Sequence, residues 1–534
     1  MAKRKKKKAA TVKKSRGFGK KSLAVELQRA AAYAVKEDWQ GAYDVLQLLV
    51  EQYPDNRLVW DYLSEVAYEL KDLATYQNAC EKLVELTPDD ADTLYALGNI
   101  YMVKMYPLAA SQVLERALTI APEHESAARA REILSTITPK IPEILEELGS
   151  DDFEAALLHE RGQMYLAQGN YPAAREAELE VIQRYPGFVP ARNNLALVNW
   201  SEGNVEEAIA TSKAVLDSEP DNIHALSNLV HFLVVSGDTE AAQVYGDRLK
   251  TSPGNGWDPW TKRVEALSYL ADDAGIVEML DQAEADDVDD SPVGALFFHL
   301  TAVALARTGD RNRALTQWKK ALKHDPDIPD ITVKENLNNI RRPVGERHGA
   351  WPFSWEQWLL PTTARDLRDT IIGLRDNPGD DHTDVLMGQL FQRHPEFLTK
   401  LPRIMERGGP LGQEFGVVMA QQLQTPEVLE IIKDFALGQN GSDSMRNRAA
   451  SIATRAGLLR KDKVTLWIQG EWRELVVAGY EISPEPATYH PKAVKKLLNR
   501  AIPNLRQQTK EAANEAHPTC LGRGGGVSAN LRLC

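Results

Sequence analysis

The chain has 534 residues, 43% of them hydrophobic and 7% aromatic, which is too long for one compact core and favours helices packed on helices. Its three cysteines, Cys80, Cys520 and Cys534, are too far apart for a zinc knuckle and too few for a disulfide framework, as in a reducing compartment. No apolar run reaches the roughly 18 residues of a membrane span or forms a signal-peptide core. We therefore expect a cytoplasmic protein, or a nuclear one in a eukaryote, with no membrane partner.

Charge is distributed unevenly along the chain. Residues 1–21 contain eleven Lys or Arg and no acid, whereas the remainder carries 52 basic and 76 acidic residues, a net charge of −24. We interpret this segment as a disordered basic arm, because it is too polar to bury a core. Such an arm binds nucleic-acid phosphates without sequence preference, serves as a nuclear-localisation signal, or aids solubility. The candidate phosphate-binding residues are Lys5, Lys6, Lys7, Lys8, Lys13 and Lys14.

From about residue 22 the sequence repeats every 34 residues. Four series of identical residues keep this interval: Pro54, Pro88 and Pro122; Pro186 and Pro220; Gly169, Gly203 and Gly237; and Ala174, Ala208 and Ala242. A fixed period between about 20 and 50 residues is typical of a solenoid, in which each unit buries its apolar face against its neighbours. Within a unit, apolar residues recur every three or four residues in two runs that are separated by a polar turn. This spacing predicts a helical hairpin.

Residues 91–124 show the repeating unit most fully. Gly98 and Ala110 are small where two helices must approach closely, Tyr101 fills the space around the crossing, and Pro122 ends the second helix because it has no N–H. These positions resemble the tetratricopeptide repeat, with its Trp-x2-Leu-Gly-x2-Tyr, Ala-x3-Phe and Pro pattern. The copies are 23–56, 57–90, 91–124, 155–188, 189–222, 223–256 and 295–328, and the two gaps between them leave room for degenerate copies.

The resemblance implies an all-α fold, a right-handed helical-hairpin solenoid, and a concave groove lined by the first helix of each copy. In this family the fifth, ninth and twelfth positions of that helix meet the partner, and an asparagine at the sixth position bonds an extended peptide. The candidate groove residues are Tyr95, Asn99, Asn193, Asn194, Trp200, Asn228 and His231. The alternative is that these side chains only solvate the inner face. Replacing Asn194 and Asn228 together is expected to weaken binding without lowering the melting temperature.

One subgroup of the family grips chaperone tails with a clamp of two Lys, two Asn and one Arg. In the best consecutive set of this chain only Asn194 matches that clamp, so a chaperone-tail receptor is disfavoured.

Beyond residue 328 the register is lost. Five amphipathic segments, at 364–375, 395–407, 410–423, 426–437 and 443–457, are predicted to be helices and are similar to HEAT-type repeats. VTLWIQ and WRELVV alternate apolar with polar residues on either side of Gly470 and Glu471, which predicts one β-hairpin. The expected domains are a disordered arm at 1–21, the solenoid at 22–328, a joint at 329–361, a mostly helical domain at 362–516 and a tail at 517–534.

The joint contains a cluster of aromatic residues, Trp351, Trp355 and Trp358. The cluster either docks another protein or seals the end of the solenoid against the next domain. Three other motifs are weak candidates for a metal, partner or phosphate site. The acidic run at 286–290, the Asp380–Asp384 segment with His382, and the glycines at 522–526 are most simply solvated loops.

These features predict a non-catalytic scaffold that binds a protein or peptide partner in the groove of the solenoid. No catalytic residue, metal site, cofactor or small-molecule substrate is expected, because no nucleophile constellation or metal-ligand spacing occurs. The alternative is a nucleic-acid- or ribosome-associated factor that uses the basic arm for nonspecific phosphate contacts.

Overall fold

The computed structural model describes residues 22–254, 256–286, 294–324, 331–376, 383–460 and 463–475. The described helices are α1 Leu23–Ala34, α2 Trp39–Gln52, α3 Arg57–Glu69, α4 Leu73–Leu86, α5 Ala91–Val103, α6 Pro107–Ile120, α7 Ala127–Ile137, α8 Ile141–Glu147, α9 Phe153–Ala167, α10 Tyr171–Arg184, α11 Val189–Glu202, α12 Val205–Ser218, α13 Ile223–Ser236, α14 Thr239–Thr251, α15 Trp257–Leu270, α16 Asp273–Ala285, α17 Ala295–Thr308, α18 Arg311–His324, α19 Ile331–Asn339, α20 Pro361–Asp376, α21 Thr383–Arg393, α22 Glu396–Arg407, α23 Gly409–Leu423, α24 Pro426–Leu437 and α25 Asp443–Arg455. The strands are β1 Val464–Ile468 and β2 Glu471–Leu475.

The predicted class, helical hairpins followed by a mostly helical region with one β-hairpin, is confirmed. No helix in the described ranges is long and apolar enough to cross a membrane. The candidate lysines of the arm lie outside the described residues. So do positions 287–290 of the acidic run, 380–382 of the acidic segment and the glycines at 522–526.

The turn within each hairpin has a recurring chemical basis. The residue two positions before the second helix adopts a positive φ, as at Gly169 (73°), Gly237 (111°) and Ala271 (64°), which reverses the chain sharply. An Asp or Asn one residue later caps the second helix by accepting a backbone N–H. The capping pairs are Asp38 with Gly41, Asp72 with Thr75, Asn170 with Ala173, Asp238 with Ala241 and Asp272 with Gly275. Side-chain caps of this kind satisfy a donor that the helix itself leaves unpaired.

The two gaps in the sequence register differ in structure. The second gap holds a complete hairpin, α15–α16, which begins 34 residues after α13. The first gap holds α7, a single turn at Thr138–Lys140 and the short α8. Across this gap the Glu160 carboxylate of α9 accepts the N–H groups of Leu108 (3.2 Å) and Ala109 (2.6 Å) at the start of α6. The second group of hairpins therefore packs directly against the first.

The carboxyl-terminal region contains all five predicted helices, as α20 and α22–α25, and also α21, which the sequence reading did not predict. The β-hairpin is confirmed, with Ile468 paired to Glu471. Its turn is Gln469–Gly470, one residue earlier than expected, because both residues adopt the positive φ (55° and 82°) that such a two-residue turn requires.

The joint seals the end of the solenoid rather than presenting a free aromatic stripe. The side chains of Trp351, Trp355 and Trp358 are all buried. The Trp355 ring stacks on Phe415 of α23 (4.6 Å between centroids), and the Trp358 ring meets Tyr269 of α15 edge-on (5.6 Å). The joint therefore contacts both the solenoid and the carboxyl-terminal helices.

Candidate partner-binding site

A cleft of about 450 Å³ opens along the first helices of four consecutive hairpins, α9, α11, α13 and α15. Residues four apart on a helix share a face, so each of these helices presents short polar rows to the same side. The lining residues of the four helices are His159, Gln163, Val189, Pro190, Asn193, Asn194, Leu197, His224, Asp258 and Lys262. Three of them, Asn193, Asn194 and His159, are nearly buried, whereas Leu197, His224 and Asp258 are more accessible.

A buried carboxylate lies beneath the cleft. Glu178 of α10 is fully buried, and its oxygens lie 3.0 Å from His159 Nδ1 and 2.7 Å from the donating amide of Asn194. Helix α9, which carries His159, can approach α10 closely because residue 162 is glycine. A Cβ at this position would lie 2.3 Å from Glu178 Oε1. Asn194, predicted to bond a peptide, instead bonds this buried carboxyl group, whose burial would be costly without such hydrogen bonds.

Asn193 differs from its neighbour because one of its polar atoms has no partner. Its Nδ2 donates to Asn222 Oδ1 (3.1 Å), and Asn222 in turn accepts from Ala225 N to cap α13. The Oδ1 atom of Asn193 is buried at the wall of the cleft and has no hydrogen-bond partner among the described residues. An unpaired buried acceptor costs free energy, which a donor supplied by a ligand would recover.

Asn228 connects two hairpins. Its Nδ2 donates to the backbone carbonyl of Asn193, 3.4 Å away, and only 9% of the residue is exposed. The amide predicted to bond a peptide backbone thus bonds the protein's own backbone, and it does not line the cleft.

Trp200 and His231 belong to an aromatic row that continues into the joint. Trp200 stacks on Phe232 (4.7 Å), His231 stacks on Tyr269 (4.2 Å), and Tyr269 stacks on Phe353 (4.6 Å). Burial in this row lowers the pKa of His231 to about 4. Trp200 is 6% exposed, so its ring is not offered to solvent. The rings of this row therefore pack on one another where Trp200 and His231 were expected to meet a partner, and Phe353 and Trp358 of the joint contact Tyr269 at the end of the row.

Tyr95 and Asn99 lie on α5, in the first group of hairpins, and line no part of the cleft. Tyr95 is 1% exposed, and its hydroxyl donates to the carbonyl of Ala121 (2.8 Å) while its ring stacks on His124. Asn99 is half-buried on the same helix. The structure does not bring these residues together with Asn193 and Asn194.

Two ion pairs flank the far end of the cleft. Lys262 lies 2.9 Å from Glu265, which raises the pKa of Lys262. Asp258 lies 3.0 Å from His224; burial alone would raise the pKa of Asp258, but the hydrogen bond from His224 lowers it. Asp258 and Lys262 were missed in the sequence because α15 lacks the repeat's marker residues. The 34-residue interval after α13 was the signal that would have revealed them.

Comparison with known proteins identifies the hairpins. Family models described as "Tetratricopeptide repeat" match residues 24–56 and 159–223. The chain carries tetratricopeptide repeats. The second match covers α9 from residue 159 and all of α10–α12, so it includes Asn193, Asn194 and the cleft-lining parts of α9 and α11.

Two curated relatives also match. The TPR repeat-containing protein YvcD of Bacillus subtilis (strain 168) is 33% identical over 113 residues, which is 20% of this chain and 23% of the relative. Cellulose synthase 2 operon protein C of Komagataeibacter xylinus is 26% identical over 246 residues, 44% of this chain and 17% of the relative. The chain thus spans less than a quarter of either relative's length.

Among solved structures, a tetratricopeptide repeat protein from Parabacteroides merdae ATCC 43184 is 13% identical. The match covers 60% of this chain and 98% of the other, with a TM-score of 0.26.

Proposed function

We propose that this protein is a non-catalytic scaffold that holds a segment of a protein partner in the cleft along α9, α11, α13 and α15. The observation that carries the proposal is the Oδ1 atom of Asn193, a buried acceptor without a partner among the described residues, in the wall of a cleft with both polar and apolar lining. Extended peptides supply backbone N–H donors at regular intervals, and such donors suit this acceptor.

The charge of the cleft favours a partner segment with donor or cationic groups. Glu147, Glu219 and Asp258 contribute acidic side chains to the lining, whereas Lys262 is its one lysine or arginine and is paired with Glu265. Leu197 provides an apolar surface between them. We expect the bound segment to run across the amino-terminal halves of the first helices, because Trp200 and His231, farther along α11 and α13, are engaged in the aromatic row.

Site-specific photo-crosslinking in the native cell tests this proposal. A photoreactive residue at Leu197 should crosslink a discrete partner, whereas the same residue at the exposed Gln183 on α10 should not. Asn193→Ala should weaken that crosslink because one hydrogen bond is lost, an effect of about 1 kcal/mol, or roughly fivefold in affinity. Equal crosslinking from Leu197 and Gln183, or an unchanged yield in Asn193→Ala, would place the partner elsewhere.

A second candidate function rests on the composition of residues 1–21, with eleven basic residues and no acid. The arm would bind phosphate backbones without sequence preference, and each neutralised phosphate would release counterions, so retention of RNA should fall steeply with salt. Deleting residues 3–21 should abolish retention on an RNA column while leaving the circular dichroism unchanged. Retention that survives the deletion would contradict this role of the arm.

A further inference from the structure

A second cleft, of about 470 Å³, lies where the last hairpin, the joint and the carboxyl-terminal region meet. Its lining includes Arg307 at the end of α17, Arg311 at the start of α18, Arg347 in the joint and Asn440 in the loop before α25. Asp273 is the acidic residue in the lining. Three arginines and one aspartate thus line this cleft, although the net charge of the chain is −13.

The charges in this cleft are not all balanced. Arg307 is neutralised, because it donates to Asp273 (3.1 Å) and Glu406 (2.8 Å). Asp273 is fully engaged, since Arg407 also donates to both of its oxygens (3.0 and 2.6 Å). Arg311 and Arg347, by contrast, have no carboxylate within 4.0 Å among the described residues. Two positive charges therefore remain without counter-ions.

Both uncompensated guanidinium groups are held in place by the backbone. Arg311 Nη2 donates to the carbonyl of Ile340 (3.0 Å), and Arg347 Nε donates to the carbonyl of Arg342 (2.6 Å). Each group keeps further N–H donors that are not used by these bonds. Burial and the nearby Arg311 charge both lower the pKa of Arg347, as expected when two like charges are kept close together.

The loop that carries Arg347 is anchored at two points. The side chain of Asn339 bonds both backbone groups of His348, at 2.8 Å each. The buried Asn336 does the same for Trp351, at 2.9 and 3.2 Å. The position of Arg347 is therefore set by α19 before any ligand arrives, and a preorganised site loses little entropy on binding.

We propose that this cleft binds the phosphate group of a small phosphorylated molecule through Arg311 and Arg347. A phosphate monoester carries a charge of about −1.5 to −2 at neutral pH, which matches two uncompensated arginines, whereas a single carboxylate would neutralise only one. A volume of about 470 Å³ is that of a small-molecule pocket. Because the lining comes from α17–α18, the joint and the loop at Gln439–Asn440, a bound ligand would tie the solenoid to the carboxyl-terminal region.

Titration calorimetry of the full chain with inorganic phosphate and pyrophosphate tests this proposal, with sodium chloride at matched ionic strength as the reference. We expect saturable binding that is tighter for pyrophosphate. Arg311→Gln and Arg347→Gln should each weaken it at least tenfold. Arg341→Gln is the matched control, because Arg341 is exposed in the same loop but does not line the cleft. The affinity of this variant for pyrophosphate should stay within about twofold of that of the wild type.

The absence of saturable binding by the wild-type chain would overturn the proposal, whatever the variants do. An equal loss in Arg341→Gln would also overturn it, because it would indicate diffuse attraction to a basic surface rather than a site. Circular dichroism of each variant checks the fold. If Arg347→Gln is destabilised, Arg311→Gln decides the outcome, since Arg311 is exposed and is not part of the anchored loop.

Discussion

At the scale of single residues, hydrogen-bonding context decides what each polar side chain can do. Asn193 and Asn194 are adjacent on α11. Asn194 donates to the buried carboxyl group of Glu178, whereas the Oδ1 atom of Asn193 has no hydrogen-bond partner among the described residues. Identical side chains at neighbouring positions thus have different roles. The sequence cannot separate them, because Glu178 reaches this point from another helix.

We predict that Asn194→Ala destabilises the protein by about 1–3 kcal/mol, because it removes a partner of a fully buried carboxylate. This revises the sequence-based expectation that the Asn194 and Asn228 pair could be replaced without lowering the melting temperature. Urea denaturation measures the effect, and Asn78→Ala on the exposed face of α4 is the control. A stability loss no larger than that of the control would show that Glu178 does not depend on Asn194.

A second prediction concerns Glu160, whose pKa burial raises to about 7, although the N–H groups of Ala109 and Leu108 oppose the shift. The folded state holds the proton more tightly than the unfolded state, whose pKa is near 4.5. The contribution of Glu160 to the free energy of unfolding is therefore largest below pH 4.5. It decreases by roughly 3 kcal/mol as the pH rises to about 7.

The measurement is the free energy of unfolding between pH 4.5 and 7.5 for the wild type and Glu160→Gln. The difference between them should change with pH as described, because Gln cannot titrate. Taking the difference also cancels His231, whose lowered pKa acts in the opposite direction and reduces stability as the pH falls from 6.5 to about 4. A pH-independent difference would be inconsistent with a raised pKa at Glu160.

At the scale of elements, small residues set how closely the two helices of a hairpin approach. Gly98 of α5 faces Leu114 of α6, and a Cβ at residue 98 would lie 2.4 Å from the Leu114 side chain. A similar close approach occurs between successive hairpins, where a Cβ at Gly246 of α14 would lie 2.3 Å from the Leu270 side chain of α15. Glycine at these positions is required by interhelical distance, since both residues are in ordinary helical conformation.

We predict that Gly98→Ala lowers stability by about 1–3 kcal/mol, because the added methyl group displaces a fully buried leucine from its place. Thermal unfolding followed by circular dichroism would detect the change. Gly187→Ala is the control, because nothing lies within 4 Å of its Cβ position and its φ is not positive. Similar melting temperatures for the two variants would rule out a close helix contact at residue 98.

At the scale of the whole molecule, the carboxyl-terminal region docks on the solenoid through buried polar contacts as well as the aromatic row. Arg407 of α22 is 3% exposed and binds Asp273 of α16 with both of its terminal nitrogens. Lys400 of the same helix donates to the carbonyl of Val234 (3.1 Å) at the end of α13. Phe353 and Trp358 of the joint add contacts with Tyr269 of α15 to this interface.

We predict that Arg407→Ala costs about 1–3 kcal/mol, because it removes two hydrogen bonds to Asp273 at a buried interface while Arg307 still pairs with that carboxylate. Limited proteolysis should then cut more readily near the joint. Arg448→Ala removes an arginine–carboxylate pair in which one nitrogen bonds both oxygens of Glu414; the Arg448 side chain is 41% exposed, so its loss should cost no more than about 1 kcal/mol. Equal costs for the two variants would mean that the Arg407 contact does not hold the regions together.

The sequence by itself determined the repeating architecture. A 34-residue period, small residues such as Gly98 at helix crossings and Asp or Asn at the caps act within one hairpin, so their effect can be read locally. It did not reveal that Trp200 and His231 stack within an aromatic row that the joint extends, that Asn194 bonds Glu178, or that Arg311 and Arg347 line one cleft without a carboxylate partner among the described residues. Those features depend on contacts between residues far apart in the chain, and only the tertiary structure decides which of them form.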